Sequence, residues 1–312
     1  MIARPSTSAR LRIGVCLSLS GRYARFGRQV AEALRDWQDW DGTVEVLIED
    51  DASTSARLPS GCDILLGPYS TGLTRKVGRI ARDSGRLLWN HGGSGDDVQT
   101  GFAGHLISVL TPASRYALPF LDWKADRAPL AIRQGKGSFA RQLVEGAVRA
   151  AKQRGIPIVE DPSGHDLLCA GSFEEDVEAV RQTKNARRIC AVAAGVADFA
   201  KEVNATGVFG IGQWLPGTSP KPEIGPDETM FTALDYPAIQ AVAAAALAVH
   251  CVKTAGSTKD VWQVAARLRT TTMFGAFQID PVTGAQLGHE AVLGRWNGRY
   301  RALRPSKSTS MK

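Results

Sequence analysis

Hydrophobic and polar positions along the chain follow two rhythms. Residues 11–18 run apolar almost without interruption until Ser20 and Gly21, the pattern of a buried strand. After Phe26, the residues Val30, Ala33, Leu34 and Trp37 recur at helical spacing as far as Trp40. Residues 44–49, 63–66 and 86–89 predict three further strands, with a helix over 71–83 between the last two. The rhythm then repeats, with strands over 130–133, 157–159, 166–170, 188–192 and 208–211 and helices over 138–153 and 173–183. Two helices follow, over 236–254 and 259–269. The tail changes character: an apolar run over 274–279, a turn at 281–284, then strands over 291–296 and 300–303 around Asn297-Gly298, a hairpin dipeptide. Strands alternating with helices in this way predict parallel sheets covered on both faces, in two successive α/β units.

Composition narrows the class. At 312 residues the chain is too long for one small core and long enough for two domains. Hydrophobic residues at 44% and charged residues at 22% exclude a disordered or fibrous chain. The net charge of +7 is scattered, from Arg4, Arg22 and Arg25 near the start to Arg304 and Lys307 near the end. No dense basic run is interleaved with aromatics, so no nucleic-acid partner is expected. None of the five cysteines has the spacing of a zinc site or a redox dithiol. Cys16, Cys169 and Cys190 sit in apolar runs, and free buried thiols fit a reducing compartment. No cluster of histidines or carboxylates has metal spacing, and Glu49, Asp50 and Asp51 read as a solvated strand end. The first ten residues lack the apolar core of a secretory signal, so the chain as written reads as cytoplasmic. The apolar stretch 241–249 is too short for a bilayer, which needs about 20 residues.

Three motifs bear on chemistry. Gly135-Lys136-Gly137-Ser138-Phe139-Ala140 follows a predicted strand, opens a predicted helix and precedes Glu160, the arrangement of a dinucleotide fingerprint. An NAD-linked enzyme is therefore the rival reading of a different class, although any glycine turn in a βα unit can match. His91-Gly92-Gly93-Ser94 resembles an esterase oxyanion loop, but the chain contains no Gly-x-Ser-x-Gly elbow to supply the nucleophile. Ser70-Thr71 stands where a strand gives way to a helix, so hydroxyls and unpaired helix N–H groups together make a place for an anion. The turn from His91 to Ser94 offers similar groups one strand further on. Small molecules bind open α/β sheets at such strand ends, and two of these turns facing a second lobe predict a ligand cleft.

These stretches form an ordered set. The run from Arg12 to Gly21, then Phe26-Gly27 and Glu49-Asp50-Asp51, resembles the start of type I periplasmic binding proteins of the leucine/isoleucine/valine- and amide-binding group. Gly67-Pro68-Tyr69-Ser70-Thr71-Gly72 resembles their first serine/threonine turn, and the stretch from Leu87 to Ser94 the strand and turn after it. Gly212-Gln213-Trp214, the stretch from Tyr236 to Gln240, Phe274-Gly275, Gln278-Ile279-Asp280 and the closing Arg295-Trp296-Asn297-Gly298 are similar in order.

The resemblance implies two doubly wound α/β lobes joined by three crossovers, residues 1–110 with 235–285 and residues 111–234 with 286–312. It implies a non-enzymatic solute-binding protein that clamps an amino-acid-like, amide or carboxylate ligand between the lobes for ABC-type uptake, without a cofactor. A cytoplasmic sensor of the same fold is the alternative, reporting closure to a regulatory protein where a transporter would meet a permease. The periplasm would follow from the resemblance if the true start lies upstream. By position, the resemblance implies that Phe26 covers the ligand, that Ser70 and Thr71 provide hydroxyl and amide to its carboxylate or amide oxygen, and that Tyr69 beside them also binds it. His91, Gly92 and Gly93 match the backbone-contact turn, and Phe139 and Phe173 are the aromatic contacts from the second lobe. Two features depart from the pattern: residues 191–196 hold no acid for an ammonium group, and a helix is missing between Val159 and Asp166.

Overall fold

Short apolar strands, the central ones buried on both faces, order this chain into two main sheets. A computed structural model describes residues 10–51, 58–124, 126–231 and 234–303. The opening stretch read for an export signal lies, apart from Arg10, outside the described residues, as do Arg304 and Lys307. The first unit runs β1 (Leu11–Leu17), α1 (Ala24–Asp41), β2 (Val44–Asp50), β3 (Ile64–Leu66), α2 (Thr71–Asp83), β4 (Leu88–Asn90) and β5 (Leu106–Ser108). Its five strands are all parallel, in the order β2-β1-β3-β4-β5.

After α3 (Leu118–Trp123), the second unit runs β6 (Leu130–Gln134), α4 (Ser138–Gln153), β7 (Ile158–Val159), β8 (Asp166–Ala170), α5 (Phe173–Gln182), β9 (Arg188–Ala191), α6 (Phe199–Glu202) and β10 (Phe209–Gly212). The chain then returns to the first unit through α7 (Tyr236–Ala255), which packs on α1, β3 and β4, and α8 (Val261–Arg267). A small antiparallel pair follows, β11 (Thr270–Thr272) with β12 (Gly275–Phe277). The closing hairpin, β13 (Val292–Asn297) and β14 (Arg299–Ala302), joins β10 antiparallel. The second sheet is thus mixed at one edge, in the order β14-β13-β10-β9-β8-β6-β7. The Asn297-Gly298 turn sits where the sequence placed it, with Gly298 at φ +72°. Between β7 and β8 the chain turns without a helix, as the shortened spacing predicts.

Four short elements, β5, α3, α6 and β11, were not legible beforehand. β5 is three residues long and buried throughout, so it carries no alternation. α3 is six residues with Pro119 in its first turn. The apolar helix α7 needs a correction of another kind: at 20 residues it reaches the length of a membrane span. Its sides are buried within the protein, including Ala241, Ala244, Ala245 and Ala248, and small side chains let α1 and the sheet approach closely. It is a core helix.

Candidate functional site

Three turns of the first unit and three of the second meet at the carboxyl ends of the two sheets. After β1, the turn is braced by the acidic cluster. Leu19 N–H and the Ser20 hydroxyl donate to Asp50 (3.1 and 2.9 Å), and the Ser18 hydroxyl donates to Asp51 (2.8 Å). Burial also pushes the Asp51 carboxyl above its ordinary value. The cluster read as a solvated strand end therefore holds the turn that launches α1.

After β3, Ser70 adopts φ +135°, the one positive φ outside glycine among the described residues. Its hydroxyl oxygen accepts from Leu73 N–H at 3.3 Å and caps α2. Strain of this kind persists where surrounding structure over-determines it, commonly at binding sites. Thr71 Oγ1 accepts from Gly95 N–H at 3.0 Å, tying this turn to the next. After β4, Asn90 closes that next turn on itself, accepting from Gly92 and Gly93 N–H and donating to the Gly93 carbonyl. A side chain on Gly93 would come within 2.3 Å of Thr74 Oγ1, so glycine is required for the two turns to interlock.

Facing them are the starts of α4 and α5 and the segment after β9. Ser172 caps α5 in a reciprocal capping box with Glu175. Between the two sets lies a cavity of about 490 Å³. Seven aromatic side chains form its walls: Tyr23, Phe26, Tyr69, Tyr116, Phe139, Phe173 and Tyr236. Phe26 stacks on Tyr69 at 4.6 Å between centroids, and Tyr116 meets Phe139 edge-on at 5.5 Å. The phenol groups of Tyr69 and Tyr236 hydrogen-bond to each other, and Gln213 Nε2 donates to Tyr116 Oη at 2.7 Å. Burial pushes all three phenols well above their ordinary value, so they stay neutral.

The charges on the cavity wall are Arg22, Arg75, Lys136 and Glu174. Arg75 pairs with Asp97, and Glu174 with Arg22. Val192, Ala193 and Val196 line the second-unit side, where an acid for an ammonium group would be needed. Asp235 does not line the cavity; its oxygens accept from Ala197 N–H at 3.0 and 3.2 Å. Asp176 lies behind the wall, accepting from Gly171 N–H and Ala193 N–H at 2.8 Å each. Burial pushes its carboxyl up to about 7.

Of the residues singled out in the sequence, Phe26, Tyr69, Ser70, Thr71, Gly92, Phe139 and Phe173 line this cavity. His91 and Gly93 do not. His91 is fully buried, its two ring nitrogens have no hydrogen-bond partner among the other described residues, and desolvation lowers its pKa to about 4. It directly follows β4, which is buried on both faces, so the chain there is enclosed whichever way a side chain points. Tyr236 opens a stretch already noted for its resemblance but was not singled out as a site residue, and Tyr116 and the Arg22–Glu174 pair lie in no motif.

No family model matches the chain, and no curated protein matches it. Solved structures do. The leucine-binding protein LivK of Thermotoga maritima superposes with a TM-score of 0.78 at 13% identity, covering 94% of this chain and 98% of that one. The branched-chain amino acid substrate-binding protein LivJ of Streptococcus pneumoniae, bound to isoleucine, gives 0.77 at 15% identity, over 95% of this chain and all of that one. A solute-binding protein from R. palustris in complex with benzoate gives 0.75 at 14% identity, over 94% and 95%. The chain has the type I periplasmic-binding-protein fold.

Within a type I periplasmic-binding-protein fold, the carboxyl ends of both sheets face each other, which is where the cavity lies here. The turn that resembled a dinucleotide fingerprint opens α4 inside this cleft. Its amide is already taken: Lys136 N–H donates to Glu175 Oε1 at 3.0 Å. A side chain on Gly135 would meet Glu175 Oε2 and Gly171 Cα at 2.5 Å, so this glycine serves the packing of two turns. A pyrophosphate would have to displace a carboxylate.

Proposed function

We propose that the protein is a solute-binding protein, not an enzyme, which closes on a small carboxylate with an apolar or aromatic body and no ammonium group. The charge and composition of the cavity carry this reading. Its one lining carboxylate, Glu174, is held by arginine, and the wall at Val192, Ala193 and Val196 is apolar. An ammonium taken out of water there without a counter-charge would cost several kcal/mol. A carboxylate instead meets the Ser70 and Thr71 hydroxyls, the first turns of α2 and α4, and Arg75 and Lys136, with aromatic rings around its body. A neutral amide would find the same donors with less electrostatic gain.

That solved neighbours include leucine-, isoleucine- and benzoate-binding proteins of ABC transporters supports solute binding, and the benzoate complexes fit the aromatic walls. The mechanism is a population shift: a ligand touching both units only in the closed state stabilises that state by its differential affinity. In the uptake role the protein works in the periplasm and presents the closed form to a permease. A cytoplasmic sensor reporting to a regulatory partner is the second reading, favoured by five free cysteines, four of them buried. A thermal-shift screen of aromatic acids, branched aliphatic acids, amides, amino acids and NAD tests the ligand class. Acids raise the melting temperature; stabilisation by NAD alone would favour the enzyme reading instead.

A further inference from the structure

Glu174 stands at the mouth of the cleft, in the first turn of α5, and it is gripped from the other unit. Its Oε2 is 3.6 Å from Arg22 Nε and its Oε1 is 3.8 Å from Arg25 Nη2. The Arg25 guanidinium also lies 4.0 Å from the centre of the Phe173 ring. Arg22 lies in the turn before α1 and Arg25 in its first turn, after β1 of the first sheet; Phe173 and Glu174 follow β8 of the second. Every other ion pair among the described residues joins groups of one unit, such as Arg12–Glu45 and Arg75–Asp97 in the first and Lys124–Asp166 and Arg154–Asp122 in the second. Both ends of the contact are anchored. Asp50 and Asp51 hold the turn before α1, and the Ser172–Glu175 capping box holds the start of α5, so a pull between them reaches both sheets.

We infer that Glu174 is a positioning residue that latches the cleft shut through Arg22 and Arg25, and that this contact, not ligand binding, is its role. The inference rests on the solute-binding reading and concerns the regulation of that same cleft. Both separations exceed a direct hydrogen bond, and the Glu174 side chain is 55% exposed, so the latch is weak and screened by salt. A weak latch suits a protein that must release what it binds: it biases closure without locking it.

The latch and a simple charge effect differ in sign. If Glu174 merely faced a bound carboxylate, it would repel it, and Glu174→Gln would tighten binding. If it latches, Glu174→Gln weakens binding. Calorimetric titration with benzoate decides between them, using Glu174→Gln, Arg25→Gln and the double variant; Arg25 does not line the cavity. Each single variant is expected to bind about two- to five-fold more weakly, and the double variant by less than the product of the two single losses, because both remove the Arg25–Glu174 contact. For Glu174→Gln the difference from wild type should vanish in molar salt. A ligand-free arm keeps the two readings apart. Nitroxide labels at Arg28→Cys and Glu178→Cys, in a Cys62→Ser background, report the distance across the mouth. Glu174→Gln is expected to lengthen that distance at low salt. If wild type binds no carboxylate, the solute reading fails, and the distance still judges the latch. Tighter binding by Glu174→Gln, or an unchanged distance, would overturn it.

Discussion

Thr111 and Gln213, on two different chain crossings, hydrogen-bond to each other twice: the Thr111 N–H donates to Gln213 Oε1 at 3.0 Å, and Gln213 Nε2 donates to the Thr111 carbonyl at 3.1 Å. His289, on the third crossing, completes the tie. Its Nδ1 lies 2.7 Å from Thr111 Oγ1 and its Nε2 lies 3.0 Å from the Phe274 carbonyl. Because a carbonyl only accepts, Nε2 carries the proton and Nδ1 accepts from the threonine hydroxyl. All three residues are buried, so the crossings are stitched by neutral hydrogen bonds in an apolar setting. Gln213→Leu would leave the buried Thr111 N–H unpartnered and remove a donor from the Thr111 carbonyl and from Tyr116 Oη. Urea unfolding should show a loss of at least about 1–3 kcal/mol, the cost of one orphaned buried group; an unchanged midpoint would mean that the crossings are held elsewhere.

Acid should loosen the protein through its buried imidazoles. Desolvation holds both His91 and His289 at about 4 in the folded state, against an ordinary value of 6.5. The unfolded chain therefore binds more protons between those values, and stability falls as pH drops from about 6.5 towards 4. Asp176, raised to about 7, acts with the opposite sign over the same window: its burial favours folding at low pH. A variant that leaves Asp176 in place isolates the histidine. Between pH 7 and pH 5, His91→Phe should lose roughly 2 kcal/mol less stability than wild type. Parallel pH profiles for the two proteins would show that His91 is not titrating as described.

In the second unit, Asp166 and Lys124 are wholly buried together, with Arg187 and Arg188 on the same carboxylate. These cations hold the Asp166 carboxyl below its ordinary range. Asp166→Asn would leave a buried ammonium without its counter-charge, a change that typically costs about 3–5 kcal/mol. Chemical denaturation of the variant checks this, and a loss below 1 kcal/mol would be incompatible with so enclosed a pair.

Ser70 and Thr71 are expected to carry ligand affinity, since each hydroxyl oxygen accepts a local N–H and keeps its proton to donate into the cavity. The Ser70→Ala, Thr71→Ala double variant should lose about 1.5–3 kcal/mol of binding, roughly ten- to hundred-fold in Kd. Because Ser70 also caps α2, its thermal stability must be compared alongside. Unchanged affinity in a folded variant would move the anion site elsewhere.

Strand and helix positions were legible because buried parallel strands and amphipathic helices write strong local patterns: residues 138–153 and 166–170 emerge with the bounds read from the sequence. The lining positions of Ser70, Thr71, Phe139 and Phe173 follow from the same logic, since they sit where strands end and helices begin. What was hidden depends on pairing across the chain. Nothing near Arg22 announces Glu174, and nothing near Thr111 announces Gln213. His91 misled because a histidine beside glycines looks like a site residue, whereas β4, buried on both faces, gives no alternation to show which way it points.

Calorimetric titration with leucine and valine beside their deaminated analogues and benzoate tests the ligand reading most directly. A cavity with apolar Val192, Ala193 and Val196 and an arginine-held Glu174 should bind the acids saturably and leave the amino acids silent. Tight binding of leucine or valine, with their deaminated analogues silent, would contradict it.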